Sequence, residues 1–470
     1  MKTIVWFRED LRLFDNPALH HAVLSGSVLP VFIYPEGLGA ASYWWLHYSL
    51  TALTQGLAKH KTPLVLRTGQ PEKVLADLSK EVEADQVVWN RIYSPKGIAQ
   101  GKEVKAALSH LKTQSFNGQL LIEPTQVLNK QALPFKVFTP FWRHCVANMD
   151  LSPLLDEPNF IEVIQGDIPS EELASWGLLP TKPDWSAGFY ERWQPGEEAA
   201  QQRWSDFLSS TVDKYKEGRD FPAQDNTSYL SPHLAFGEIS PKQIWFEAQE
   251  AIANQEISSD NGAKFLAEIG WREFSRYLLV HFPHLTESPF NQRFEDFPWQ
   301  SDKRLLHAWQ KGLTGYPIVD AGMRELWHTG YMHNRVRMVV ASFLTKHCLT
   351  HWREGMDWFW DTLLDADIAN NTASWQWASG CGADAAPFFR IFNPILQGEK
   401  FDKEGVYIKK WVPELSELPS KFIHKPWEAD GLTLSSAGIT LDVNYPAPVV
   451  DHKQARQLAL DSYQSIRKVE

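Results

Sequence analysis

Residues 1–12 read MKTIVWFREDLR, in which a short β-branched run, Thr3 to Phe7, meets charged residues at once. That pattern reads as a buried first strand and not as a signal peptide, which needs a longer apolar core before a cleavage site. Working outward, similar runs recur at Leu29 to Tyr34, Pro63 to Leu66, Gln86 to Trp89 and Leu120 to Ile122, with helical periodicity at 42–60, 71–84 and 97–112 between them. Apolar strands alternating with helices specify a parallel, Rossmann-like sheet covered on both faces. Residues 1–128 are therefore expected to form an α/β domain that holds ligands at the carboxyl ends of its strands. Gly37 and Gly39 follow the second strand, but Ser42 stands where the dinucleotide fingerprint requires a third glycine, so no dinucleotide loop is expected there.

Residues 129–200 lose periodicity and gather prolines and acids, as in Leu154 to Pro158 and Trp176 to Asp184, which reads as a surface connector. From 201 to 470 the pattern is helical, at 201–216, 241–255, 261–281, 302–312, 318–328, 331–348, 354–363 and beyond 452, giving an all-α second domain. A chain of 470 residues is long enough for such a division. With 43% hydrophobic and 22% charged residues it is not a disordered protein, and no apolar run reaches the length of a membrane span. Cys145, Cys348 and Cys381 match neither a zinc site nor a disulfide framework and read as buried thiols of a cytoplasmic protein. A net charge of -11 excludes a protein that coats polyanions with its whole surface, but leaves room for a local basic patch.

The chain carries 21 tryptophans, concentrated late, at Trp352, Trp358, Trp360, Trp375 and Trp377. Aliphatics would fill a core, so this excess points to stacking or to electron transfer. Four constellations surround it. Thr227-Ser228-Tyr229-Leu230-Ser231-Pro232 places Ser231 as a helix cap with Pro232 first in the helix, which either caps only or receives a phosphate. Glu268 and Trp271 stand three apart on one helix face, and there the acid is either satisfied by a partner or a proton donor in a pocket. Asn334 and Met338 stand four apart, offering an amide and a polarisable thioether, or only one side of a structural helix with an exposed arginine pair. Asp365-Ala366-Asp367-Ile368-Ala369-Asn370-Asn371 lacks the glycine and terminal glutamate of a calcium loop, which leaves bidentate acceptance from a ribose, adenine, flavin or arginine. Arg337 is the candidate partner of Asp365.

These blocks, with Val5 to Arg12 and Phe389 to Pro394, resemble the photolyase and cryptochrome family, from residue 1 to about 460, and within it the DNA photolyases that act on cyclobutane pyrimidine dimers. The resemblance implies an α/β antenna domain (1–128), a connector (129–200) and a helical FAD-binding domain (201–470). It implies light-driven repair of the dimer, flipped out of UV-damaged duplex DNA, by an electron from excited reduced FAD. Photolyases are themselves among the base-flipping enzymes for which extrusion is held to cost roughly a few kcal/mol. Tyr215, Thr227, Ser228, Tyr229, Leu230 and Ser231 would line the FAD phosphates and ribitol, with Trp271, Asn334, Arg337, Asp365 and Asp367 around the rings and Asn371 beside N5. Trp375, Trp352 and Trp299 fall where the family keeps an electron relay, and Trp271 and Trp377 where it stacks on the dimer. Trp358 and Trp360 are left to the core.

The resemblance also discriminates among substrates. Asn334 and Met338 occupy the positions where (6-4) enzymes carry imidazoles, and Trp377 is present where single-strand-specific members lack it, so duplex dimers are the expected substrate, with Glu268 hydrogen-bonded to the lesion. Arg219, Arg335, Arg390 and Lys400 are the expected phosphate contacts, beside Glu268, Asn334 and Trp377. Gly270 and Gly380-Cys381-Gly382-Ala383 look closer to class III bacterial enzymes than to class I. Pro95-Lys96-Gly97 stands where class I enzymes hold a folate, so a methenyltetrahydrofolate antenna would use Glu36, Trp44 and Trp45 instead. The other readings are a blue-light receptor that binds FAD without repair, for which a regulatory tail beyond Glu470 would be expected, and a tryptophan-lined carbohydrate enzyme using Asp365 and Asp367. A monomer is expected.

Overall fold

The computed structural model describes residues 1–385 and 389–467; Ala386, Pro387 and Phe388 and the terminal Lys468, Val469 and Glu470 lie outside the described residues. Five parallel strands form one sheet in the order β3-β2-β1-β4-β5. They are β1 (Lys2–Phe7), β2 (Ser27–Ile33), β3 (Val65–Arg67), β4 (Gln86–Asn90) and β5 (Lys112–Phe116). Val5 pairs with Pro30 on one side and Val88 on the other, all three buried, because a central parallel strand has helices over both faces. Helices α1 (Pro17–Ser25), α2 (Ala40–Lys59), α3 (Pro71–Glu81) and α4 (Pro95–Ala107) supply that cover.

The last strand departs from expectation. Leu120 to Ile122 form no strand; β5 lies earlier, in the polar Lys112–Phe116, and α4 stops at Ala107. An edge strand has one neighbour and need not be apolar, so periodicity misses it. The apolar run has another use: Leu121 packs into the helical domain and donates its N–H to Glu273, 2.8 Å away. At the β1/β4 reversal, where open sheets hold ligands, the crevice is filled from within. Asn90 donates to Asp10 (2.6 Å) and to Asn16 (2.8 Å) there, and all three side chains are buried.

The connector is not a surface strap. It contains helix α5 (Phe138–Asn148), Val163 bridges Val28 alongside the sheet, and Ile161, Phe189 and Trp193 are buried. Its proline-rich stretches lack a repeat yet still bury side chains one at a time.

The helical domain contains α6 (Glu197–Ser210), α7 (Pro241–Ala253), α8 (Ser259–His281), α9 (Lys303–Lys311), α10 (Pro317–Thr329), α11 (Asn334–Ser342), α12 (Trp352–Thr362), α13 (Ile368–Ser379), α14 (Pro394–Phe401) and α15 (His452–Arg467), counting helices of eight residues or more. The helix expected over 331–348 is shorter. His333 accepts the N–H of Arg335 at 3.2 Å and so caps α11 at Asn334, and a π-turn, Phe343–His347, ends it. Helices α13 and α14 were not legible as separate elements, since α13 is apolar and polar all round.

One aromatic core joins the domains. Trp44, Trp45, Phe189, Trp193, Phe236, Tyr331 and Leu364 form a single buried cluster. Arg12, 1% exposed, donates to the carbonyls of Gly237 (2.9 Å), Asp15 (2.8 Å) and Gly118 (2.7 Å) and so pins the sheet to the helices. At Gly39 the approach is closer still, since a Cβ there would lie 1.9 Å from the carbonyl oxygen of Trp360. Gly39→Ala must therefore part the domains locally, and we expect a loss of about 1–3 kcal/mol, typical of overpacking, read as a lower thermal midpoint. An unchanged midpoint would contradict this packing.

Trp358 and Trp360, expected in the core, are instead half-buried at the rim. Trp358 stacks at 6.0 Å on Trp327, which is 49% exposed, and the Trp360 indole donates to the carbonyl of Gly37 at 3.0 Å. Helix α12 is amphipathic, and these two positions fall on its outer edge.

Candidate functional site

Helices α8, α11 and α13 meet around a set of polar groups that cores normally exclude. The acid Asp367 opens α13 by accepting the N–H of Asn370 at 2.8 Å, while its other oxygen accepts from Arg276 of α8 at 2.7 Å. One carboxylate thus fixes both the start of α13 and its distance from α8. One turn on, the Asn371 amide donates to the carbonyl of Met356 at 2.9 Å. A carbonyl only accepts, so the amide nitrogen must face Met356 and the Asn371 carbonyl oxygen faces away from it, on a residue 8% exposed.

The expected pairing of Arg337 with Asp365 is present and bidentate, at 3.1 and 2.9 Å. Arg337 also donates to the carbonyl of Met332 at 2.7 Å and lies 5.1 Å from the ring centroid of Tyr331. Nearby, Arg192 stacks over Tyr229 at 4.5 Å and faces Glu325 at 3.6 Å. Burial pushes the Glu325 carboxyl up, and hydrogen bonds from Tyr407 (2.7 Å) and the backbone of His333 (3.3 Å) oppose that shift.

The hydroxyl segment differs from expectation by one residue. Leu230, not Ser231, is the cap of the short helix Ser231–Ala235, and Pro232 is its second residue. Ser228 accepts the N–H of Leu230 at 3.4 Å, and Tyr229 adopts a positive φ of 52°. Ser231 is exposed, whereas Tyr215 and Leu230 are buried.

Glu268 is not a core acid. Its side chain is 26% exposed and is held by Arg219 and, at 3.1 Å, by Lys264. Arg219 also stacks on Tyr215 at 5.3 Å, and Arg335 pairs with Asp220 at 2.9 Å while lying 4.4 Å over Phe401. These two arginines are committed to acids in this structure, whereas Arg390 and Lys400 are exposed. Asn334 is exposed at the first position of α11, with Met338 half-buried one turn along. Trp271 stacks on Phe138 of α5 at 3.8 Å and 10°, so one of its two faces is already covered. Trp377 is half-buried against the helical core.

Trp375 is 2% exposed and packs on Gly355, one turn from Trp352 on α12. The ring of His351 lies 5.4 Å from Trp352 and 5.1 Å from Trp299, and so touches both. The half-buried Trp299 indole N–H has no partner.

Among the buried polar atoms without a hydrogen-bond partner are the Thr227 hydroxyl, one nitrogen of the Arg276 that holds Asp367, Arg335 Nε and His333 Nε2. Such atoms are rare unless a ligand satisfies them. With the outward oxygen of Asn371 and the hydroxyl of Ser228, they form a donor and acceptor set that fits a phosphate-bearing nucleotide with a polar ring, as FAD is.

Residues 3–159 match the family model for DNA photolyase, and residues 265–465 match the FAD binding domain of DNA photolyase. Over 99% of the chain, and 98% of the relative, the sequence is 51% identical to a deoxyribodipyrimidine photo-lyase of Agrobacterium fabrum. The chain belongs to the photolyase and cryptochrome family. A crystal structure of a bacterial class III photolyase from Agrobacterium tumefaciens superposes with a TM-score of 0.97 at 50% identity, covering 100% of this chain and 98% of that one. Cryptochrome-2 of Arabidopsis thaliana is 38% identical over 100% of this chain and 80% of its own length.

In this photolyase-family chain the antenna residues need correction. Trp44 and Trp45 are 1% and 0% exposed, enclosed by Tyr48, Phe189, Tyr190, Trp193 and His233, and the Trp45 indole donates to Glu238 at 3.0 Å. Their faces are spent on the interdomain core. Glu36 is exposed after β2, where its carbonyl accepts from Lys96 at 3.0 Å. The three cysteines are buried and free, and burial pushes the thiols of Cys145 and Cys381 up to about 12, which suits inert packing. Phe138 and Arg276 were missed by sequence reasoning. Arg276 had a signal, a second arginine four residues after Arg272 on the same helix face; Phe138, in a segment without periodicity, had none.

Proposed function

We propose that this protein is a light-driven lyase that splits cyclobutane pyrimidine dimers in duplex DNA. The observation that carries the reading is Asn371, whose amide nitrogen is held by the Met356 carbonyl and whose neutral oxygen is left free of it. An amide cannot become a carboxylate, so no negative charge arises there to oppose a reduced, anionic ring. FAD, when bound and reduced, supplies the electron that light releases toward the lesion.

The chain's own groups do the rest. Arg337 with Asp365 and Asp367 with Arg276 hold the rings and adenine, and Thr227, Ser228 and Tyr215 face the phosphates and ribitol. Glu268 donates or accepts hydrogen bonds to the dimer once DNA draws Arg219 toward a phosphate, and its placement one turn from Trp271 brings both to one face of α8. The free face of Trp271 and the ring of Trp377 wall the flipped lesion, and Asn334 and Met338 contact it from α11. Trp299, Trp352 and Trp375 conduct electrons from the surface to the site and so re-reduce FAD after light absorption. A methenyltetrahydrofolate antenna belongs to the same reading, with Glu36 the remaining contact. The protein acts as a cytoplasmic monomer; among the described residues no helix is long and apolar enough to cross a membrane.

The purified protein should show a flavin spectrum and, under blue light and reducing conditions, restore thymines in dimer-containing duplex DNA. Flavin without restored thymines would favour the receptor reading, to which the identity with the Arabidopsis cryptochrome gives some support; absence of flavin would reject both. Trp377→Ala is expected to weaken binding to dimer-containing DNA by roughly 1–3 kcal/mol, as loss of one stacking partner does, while leaving photoreduction intact. Trp299→Phe should do the reverse, and normal photoreduction in that variant would remove Trp299 from the relay.

A further inference from the structure

Lys346 lies in the Phe343–His347 π-turn, 2% exposed, with no carboxylate within ion-pair distance among the described residues. Burial pushes its ammonium down to about 7. A buried cation without a counter-ion is costly, and an apolar side chain would fill the same space without that cost. What the ammonium does instead is donate to the carbonyl oxygen of Arg390 and face the ring of Phe389 at 4.7 Å. Four residues earlier, the Ser342 hydroxyl accepts the N–H of Phe392 at 3.2 Å. Asn393 then caps α14, accepting from Ile395 at 2.9 Å and Leu396 at 3.3 Å. The backbone from Phe389 to Asn393 is thus fixed at three points, two of them supplied by the end of α11 and its π-turn. In the middle of it the Arg390 side chain is exposed. π-turns are infrequent and tend to mark working sites.

We infer that Lys346 is a positioning residue for DNA binding, clamping the Phe389–Asn393 backbone so that Arg390 projects to a phosphate of the damaged strand. The inference rests on the repair function proposed above and adds to it the device that presents Arg390. Fixing the backbone at Arg390 removes the freedom of the segment before DNA arrives, so the contact forms with less ordering.

The test measures binding of the FAD-loaded protein to a duplex with one dimer, at several salt concentrations, for Lys346→Met, Lys346→Gln, Arg390→Ala and the double variant Lys346→Met/Arg390→Ala. Arg390→Ala should lower the slope of log affinity against log salt by about 1, the loss of one phosphate contact. Lys346→Met should lose affinity to a similar or smaller degree, and the double variant should bind no worse than Arg390→Ala alone. Lys346→Gln keeps an N–H donor for the Arg390 carbonyl and should recover most of the loss, a rescue that a filler of space would not show. Flavin content and photoreduction should stay at the parental level in both lysine variants. Undiminished binding in Lys346→Met and Lys346→Gln, or losses that add in the double variant, would overturn the positioning role alone. Parental binding by Arg390→Ala would remove Arg390 from the DNA face and the role of Lys346 with it, leaving repair itself to be judged by restored thymines.

Discussion

Asp365→Ala should yield a protein that has lost its flavin and about 3–5 kcal/mol of stability, the usual consequence of removing one partner of a buried pair. The Asp365 side chain is 4% exposed and takes both hydrogen bonds of the Arg337 fork. Without it the guanidinium keeps only the carbonyl of Met332 and the Tyr331 ring, and a charge surrounded by protein stands uncompensated. Arg337 sits on α11 two residues beyond Arg335, so its displacement also disturbs the helix that presents Asn334 and Met338. Asp365→Asn, which keeps the shape and one acceptor, should fall between the two. The measurements are visible absorption per mole of purified protein and chemical denaturation. Full flavin occupancy in Asp365→Ala would show that the pair serves the fold and not the cofactor.

Gly355→Ala should be the other severe change, although it adds one methyl group. A Cβ at this position of α12 would lie 2.0 Å from the Trp375 ring. The ring has little room to shift, since it is 2% exposed with Phe359 of the same helix at 5.0 Å and Trp309 at 6.0 Å. Either α12 moves away from α13 or the indole leaves its rotamer, at about 1–3 kcal/mol. Trp352 rides on the same helix, so the spacing of the proposed relay changes as well, and photoreduction should slow while FAD content is kept. Trp375→Phe in the Gly355→Ala background makes room and should recover stability without recovering photoreduction. Parental melting and photoreduction in Gly355→Ala would mean that Trp375 is free to shift.

Asp365 and Arg337 were legible because complementary charges in two segments rich in polar groups beside apolar runs have few ways to be satisfied. Asn371 was legible as a residue type but not as an orientation, which only the Met356 carbonyl fixes. Trp44 and Trp45 misled for the opposite reason: an indole that stacks on a pigment and one that fills a core look alike in sequence, and here the deciding partners, Phe189, Trp193 and His233, lie far along the chain. Phe138 was invisible on the same ground, its stacking on Trp271 joining residues 133 positions apart in a segment with no period. Four of the five strands were found from apolar runs: the three central ones are buried on both faces, and the edge strand Val65–Arg67 follows the apolar Leu64; the other edge strand, Lys112–Phe116, is polar and escaped.

The aromatic core shared by Trp44, Trp45, Phe189 and Phe236 makes the sheet and the helices one mechanical body. A pigment carried on the sheet side and a redox centre on the helical side would keep one separation and one mutual angle through any fluctuation short of unfolding. Excitation transfer depends steeply on both quantities. With a pigment so carried, packing that looks purely structural would set how evenly absorbed light reaches the site, and the glycine at position 39, by letting two backbones nearly touch, would act as an optical spacer.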